Sequence, residues 1–156
     1  MKYVMLLYTG YDCELAERLE DYFEGRLRNI ADIRSITGVL AEKQKLSWAL
    51  RSSDCVVLFA TSQASSLIKD KKQETEDGFL TFDGKVIHDA FTGNKELVDK
   101  LIIVYPTERR ESDWIPDCFD EKRIFQLKGE KIQAGPMLYQ LEYSIRRTLG
   151  QPSIDM

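Results

Sequence analysis

The side chains that could do chemistry in this chain are few and scattered. The single histidine, His88, precedes Asp89, and an imidazole beside a carboxylate could serve as a base. No Ser or Cys nucleophile stands at a spacing that assigns it to that pair, so His88 reads as a partly exposed helix side chain. Cys13, Cys55 and Cys118 are 42 and 63 residues apart, which gives neither the close ligand pairs of a zinc site nor a disulfide framework. Cys55 opens an apolar run and reads as a small hydrophobe. Cys13 starts a helical pattern where a thiolate would be favoured, but Asp12 and Glu14 on either side oppose it. The loop Thr9-Gly10-Tyr11-Asp12-Cys13-Glu14 follows the first apolar run. A flavin phosphate would need hydroxyls and free amides there, and Asp12 and Glu14 put negative charge in its place. A receiver domain would end its third strand on Asp, where this chain has Ala60-Thr61-Ser62. No GxGxxG or GxxxxGKS/T motif occurs, so dinucleotide and P-loop readings lack their phosphate cradle. Trp48 and Trp114 read as packing residues. The residues therefore point to no cofactor, no metal and no enzyme.

The elements that would position these residues alternate between strand and helix. Tyr3-Val4-Met5-Leu6-Leu7-Tyr8 is a continuous apolar run of the kind that makes a strand buried on both faces. Helical spacing follows at Leu15, Leu19, Tyr22, Phe23, Leu27 and Ile30, with Asp12 as N-cap. A weak strand is expected over 32–36, a turn at Thr37-Gly38 and a helix over 43–53, before the second buried strand, Cys55-Val56-Val57-Leu58-Phe59-Ala60. Residues 62–72 suit a short helix, and 69–77 form a charged run that reads as a long exposed connection. A helix over 86–98 weakened by Gly93, a third buried strand Leu101-Ile102-Ile103-Val104-Tyr105-Pro106, a loop over 107–121, an edge strand over 123–127 and a helix over 136–149 complete the pattern. Five strands alternating with helices imply an α/β fold, a five-stranded parallel sheet in the flavodoxin-like or TIR-like order 2-1-3-4-5 with helices on both faces. Residues 1–150 read as one domain and 151–156 as a C-terminal tail.

Composition narrows the function classes. The chain has 156 residues, 43% hydrophobic and 31% charged, with a net charge of −4 that divides into 0 over 1–52, −3 over 53–106 and −1 over 107–156. No third is basic, which argues against nucleic acid and against anionic lipid, both of which bind through Lys and Arg. The apolar opening is too short for a membrane span, and the sparse cysteines suit a cytoplasmic setting, either as a free protein or as the cytoplasmic region of a membrane receptor.

Several segments, in order, resemble the SEFIR family, the TIR-related domain of interleukin-17 receptors and their cytoplasmic adaptor. The first strand with Tyr8-Thr9-Gly10-Tyr11-Asp12 resembles that family's apolar strand followed by Tyr-Ser-x-x-Asp. Lys45-Leu46-Ser47-Trp48-Ala49-Leu50 resembles its Trp-centred helix, and Asp83-Gly84-Lys85-Val86-Ile87-His88-Asp89-Ala90-Phe91 resembles its Gly-Lys turn and Asp-x-Phe helix. The resemblance implies a signalling module that associates with other SEFIR domains, homotypically or heterotypically, in interleukin-17-receptor-type signalling, as a receptor, an adaptor or a stand-alone member. It also implies where the partner surface lies: first on Ser62, Gln63, Ser66, Lys69, Lys71, Lys72, Glu74, Glu76 and Asp77, and second on Gly38, Val39 and Leu40 within 37–42. The alternative is a TIR-like NAD-cleaving enzyme. TIR relatives that cleave NAD use a Glu in the helix after the third strand. Residues 62–72 contain none, and the first candidates, Glu74 and Glu76, fall in the connection beyond it.

Overall fold

A computed structural model describes residues 2–106, 108–127 and 135–150; the expected tail at 151–156 lies outside them. In chain order the elements are β1 (Lys2–Leu7), α1 (Cys13–Arg26), β2 (Ala31–Ser35), α2 (Ile36–Ala41), α3 (Leu46–Ser52), β3 (Cys55–Phe59), α4 (Ser62–Lys69), β4 (Gln73–Glu76), β5 (Phe79–Asp83), α5 (Gly84–Phe91), α6 (Lys95–Val98), β6 (Leu101–Tyr105), β7 (Ile124–Gln126) and α7 (Pro136–Thr148). The central sheet is parallel, in the order β2-β1-β3-β6-β7, which is 2-1-3-4-5 among its own strands. The apolar runs explain which strands sit inside. Val4 to Leu7, Cys55 to Phe59 and Leu101 to Tyr105 are buried along their whole length, as strands must be when helices cover both faces. Glu142 on α7 is buried and takes Arg26 of α1 and Arg146 of its own helix at 2.8 and 3.1 Å, which ties the two helices together.

The structure corrects several local expectations. Thr37-Gly38 is not a turn. Ser35 caps α2 by accepting from the Gly38 amide at 3.1 Å, so Ile36 is the first helical residue and is buried rather than the end of a strand. α1 stops at Arg26, short of Ile30. The helix expected over 86–98 is two helices, broken where Gly93 takes a φ of 75° and Asn94 caps Leu97.

The main correction concerns 69–77. α4 ends at Lys69, and Lys71 adopts a φ of 53°, which reverses the chain into an antiparallel hairpin of β4 and β5. Asp77 and Gly78 form the tip with φ of 52° and 82°, the paired positive values of a two-residue hairpin turn that Asp-Gly favours. The run is as exposed as its charge requires, yet it has regular structure. Its far strand is anchored: Phe82 and Asp83 are buried, and Asp83 caps α5 through the Val86 amide. Gly84 lies so close under the end of α4 that a Cβ would overlap the Leu67 carbonyl and approach Lys72 O within 2.6 Å.

Backbone carbonyls cannot yield as flexible side chains can, so Gly84→Ala should cost about 3 kcal/mol. The control is Gly25→Ala in α1, where a Cβ meets nothing within 4 Å and stability should rise by up to about 1 kcal/mol. Denaturant unfolding of both variants checks the pair; equal effects would contradict the packing described at Gly84.

Candidate functional site

In a doubly wound sheet the crevice lies beyond the carboxyl ends of the strands where the order reverses, here β1 and β3. Two carboxylates occupy it. Glu74, on β4, accepts the Gly10 amide at 2.9 Å and the Thr81 hydroxyl at 2.8 Å on Oε1, and the Gln63 side-chain amide at 2.7 Å on Oε2. One side chain therefore joins the loop after β1, helix α4 and the partner strand β5. Asp12 does not cap α1. Its Oδ2 accepts the hydroxyls of Thr9 and Thr61, both at 3.1 Å, bridging the loops after β1 and β3. Burial pushes the Asp12 carboxyl above its ordinary range, the two hydroxyls oppose the shift, and the nearby Glu74 charge adds to it. Cys13 next door is raised by burial, then by its contact with Glu17 and the charges of Glu17, Glu76 and Glu20. The carboxylates that act on it are thus Glu17, Glu76 and Glu20 rather than the flanking Asp12 and Glu14. The Cys55 thiol is fully buried and pushed up to about 12.

At the rim of this crevice, Gly10, Tyr11, Glu74, Thr75, Glu76 and Thr81 line a shallow cleft of about 290 Å³. A wider groove of about 880 Å³ lies on the far side of the molecule between β7 and α7. Its Arg123 is taken up by Leu101 O at 2.8 Å and Thr148 Oγ1 at 3.0 Å. Among the described residues no His, Cys, Asp or Glu cluster could hold a metal.

The residues expected to meet a partner divide as follows. Ser62, Ser66, Lys69, Lys71, Lys72, Glu76, Asp77 and Gly38 are exposed, Gln63 and Glu74 are half-buried in the crevice network, and Leu40 packs partly against the core. Val39 is buried in that core and is not available to a partner. α2 packs against β5, so the two candidate segments form one neighbourhood. Sequence reading missed Tyr11 and Phe79, which are 84% and 75% exposed; the Asp77-Gly78 pair before Phe79 was the signal for the second. His88 Nδ1 and Asp89 are 3.3 Å apart on the exposed side of α5, with Trp114 alongside. Trp114 packs on the core, whereas Trp48 is largely exposed and flanks Arg34, which stacks on Tyr3 at 3.8 Å.

The parallel 2-1-3-4-5 sheet, with the hairpin beside its switch-point crevice, is an α/β fold of TIR-like topology. More particularly, the fold is that of a SEFIR domain. The crystal structure of a prokaryotic SEFIR domain matches with a TM-score of 0.59, over 93% of this chain and 99% of that one, at 13% sequence identity. No family sequence model and no curated protein sequence matches the chain. Among the described residues no helix is long and apolar enough to cross a membrane.

The two carboxylates should behave oppositely on substitution. Glu74→Ala removes three acceptor contacts and should lower stability by about 2 kcal/mol while speeding amide exchange in β4 and β5. Asp12 has a raised pKa in the fold, so its contribution is complete below the unfolded value of about 4 and is lost as pH rises through the folded value. Asp12→Asn should therefore equal or exceed the parent in stability at pH 7 and lose that advantage below pH 4. Urea unfolding from pH 3 to pH 8 measures both; a destabilising Asp12→Asn at pH 7 would contradict the assignment.

Proposed function

We propose that the chain is a cytoplasmic signalling module that binds other SEFIR domains, in the manner of interleukin-17-receptor-type signalling, and that the surface from α4 through the hairpin is where it does so. The observation that carries this reading is the hairpin itself. From Lys69 to Phe79 every residue except Glu74 is exposed, and that one half-buried side chain clamps the hairpin to the body of the domain. An exposed, ordered, charge-bearing projection suits recognition, because less conformational entropy is lost on binding than a free loop would lose. Among the described residues Lys71, Lys72, Glu76 and Asp77 have no ion-pair partner within the chain, so their charge is available for steering a partner.

A second reading, cleavage of NAD as in some TIR relatives, is favoured by one observation: Glu74 is not on a loose connection but is fixed at the switch-point crevice. Against it, both Glu74 oxygens already accept hydrogen bonds, and Asp12 beside it adds negative charge where a pyrophosphate would have to approach.

Reversing Lys71 and Lys72 together, or Glu76 and Asp77 together, should weaken binding to another SEFIR domain by roughly tenfold, with a clear salt dependence. Calorimetric titration at two ionic strengths reads this, and unchanged affinity in both variants removes the site. Incubation of concentrated protein with NAD tests the second reading: nicotinamide release abolished by Glu74→Gln would replace the first proposal, and the expected result is none.

A further inference from the structure

Charge along the hairpin is ordered. Lys71 and Lys72 stand at its base, where the Lys72 carbonyl accepts the Gly84 amide at 2.9 Å, and Glu76 and Asp77 stand at its tip. Four residues of strand, roughly 13 Å, separate the two ends. β4 pairs with β5 alone in a two-stranded sheet, so the hairpin has no further strand beside it. The acidic end also carries the two most exposed aromatic rings among the described residues, Tyr11 and Phe79. Phe79 faces Glu76 across the hairpin, and Tyr11 lines the same cleft as Glu76. Large rings at these exposures leave apolar area that association would bury.

A surface with a basic end and an acidic-aromatic end is complementary to itself when turned by a two-fold rotation. Two hairpins laid antiparallel about an axis between Glu74 and Thr75 set Lys72 of one copy opposite Asp77 of the other and Gln73 opposite Glu76. Each charge contact occurs twice, and the lysine stems of one copy reach the rings of the other, where an ammonium over an aromatic face is favourable.

We propose that the occupant of this hairpin surface is a second copy of the same chain, docked isologously to form a closed two-fold dimer with Lys71 and Lys72 of each copy against Glu76, Asp77 and Tyr11 of the other. This rests on the reading of the hairpin as the interaction surface and names its partner. The contacts are exposed charge pairs and two rings, so the dimer is weak and salt-sensitive.

A charge-swap experiment tests it. Sedimentation velocity at low salt should show concentration-dependent dimer for the parent chain. It should show about tenfold weaker association for Lys71→Glu/Lys72→Glu and for Glu76→Lys/Asp77→Lys, each of which faces itself with like charge. An equimolar mixture of the two variants restores both contacts and should recover a species of two chains, neither larger nor open-ended. Circular dichroism of each variant excludes misfolding as the cause of a loss. A monomeric parent, variants that dimerise as well as the parent, or a mixture that fails to recover the dimer would each overturn the proposal. If the parent is monomeric yet still binds a different SEFIR domain through the hairpin, the isologous dimer fails and the interaction-module reading survives. If it binds neither, both fail.

Discussion

The arrangement turns on one carboxylate. A two-stranded hairpin is marginal by itself in water, and this one has an outer strand, Gln73–Glu76, with no apolar residue to bury. On that strand Glu74 supplies what apolar contact cannot, accepting from Gly10, Gln63 and Thr81; at this partial exposure the three bonds together stabilise by about 2 kcal/mol. It works together with Phe82 and Asp83, which are buried at the far end of β5, and with the Gly84 amide that bonds the Lys72 carbonyl. With these contacts, the charges at the two ends of the hairpin acquire fixed positions relative to the sheet.

The same contacts explain why the crevice at the switch point is not an evident cofactor site. Related α/β folds leave hydroxyls and free amides there to bind phosphate. Here the Gly10 amide and the hydroxyls of Thr9, Thr61 and Thr81 are used on the chain's own Asp12 and Glu74. The cost is visible in Asp12, whose carboxyl is raised by burial and by its neighbour's charge. Two carboxylates kept close together, Asp12 through Oδ2 and Glu74 through both oxygens, bond the loops around them, and their charge opposes an anionic ligand.

Much of the frame was legible in the sequence, because the period-independent apolar runs at Val4–Leu7, Cys55–Phe59 and Leu101–Tyr105 leave buried parallel strands as the economical solution. What could not be read were features set by single backbone or side-chain contacts. Ser35 turned an apparent Thr37-Gly38 turn into a helix by capping it, and Val39, offered as a surface residue, was thereby rotated into the core. The Lys-Glu run read as a loop because charge outweighed the Asp77-Gly78 signal, and the compensating Glu74 contacts reach 64 residues back along the chain to Gly10. Lys69, Lys71, Lys72, Glu76 and Asp77 are exposed, as their charge requires; the exposure of Phe79 could have been read from the Asp77-Gly78 turn, whereas that of Tyr11 follows only from how the loop after β1 meets the hairpin.

Amide hydrogen exchange with and without a saturating SEFIR-domain partner, a second copy included, tests the central claim most directly. The account predicts protection concentrated at residues 69–79 and at Tyr11, with β7 and α7 unchanged. Protection confined to the groove between β7 and α7, or to the face of α3 around Trp48, with the hairpin exchanging as in the free domain, would contradict it.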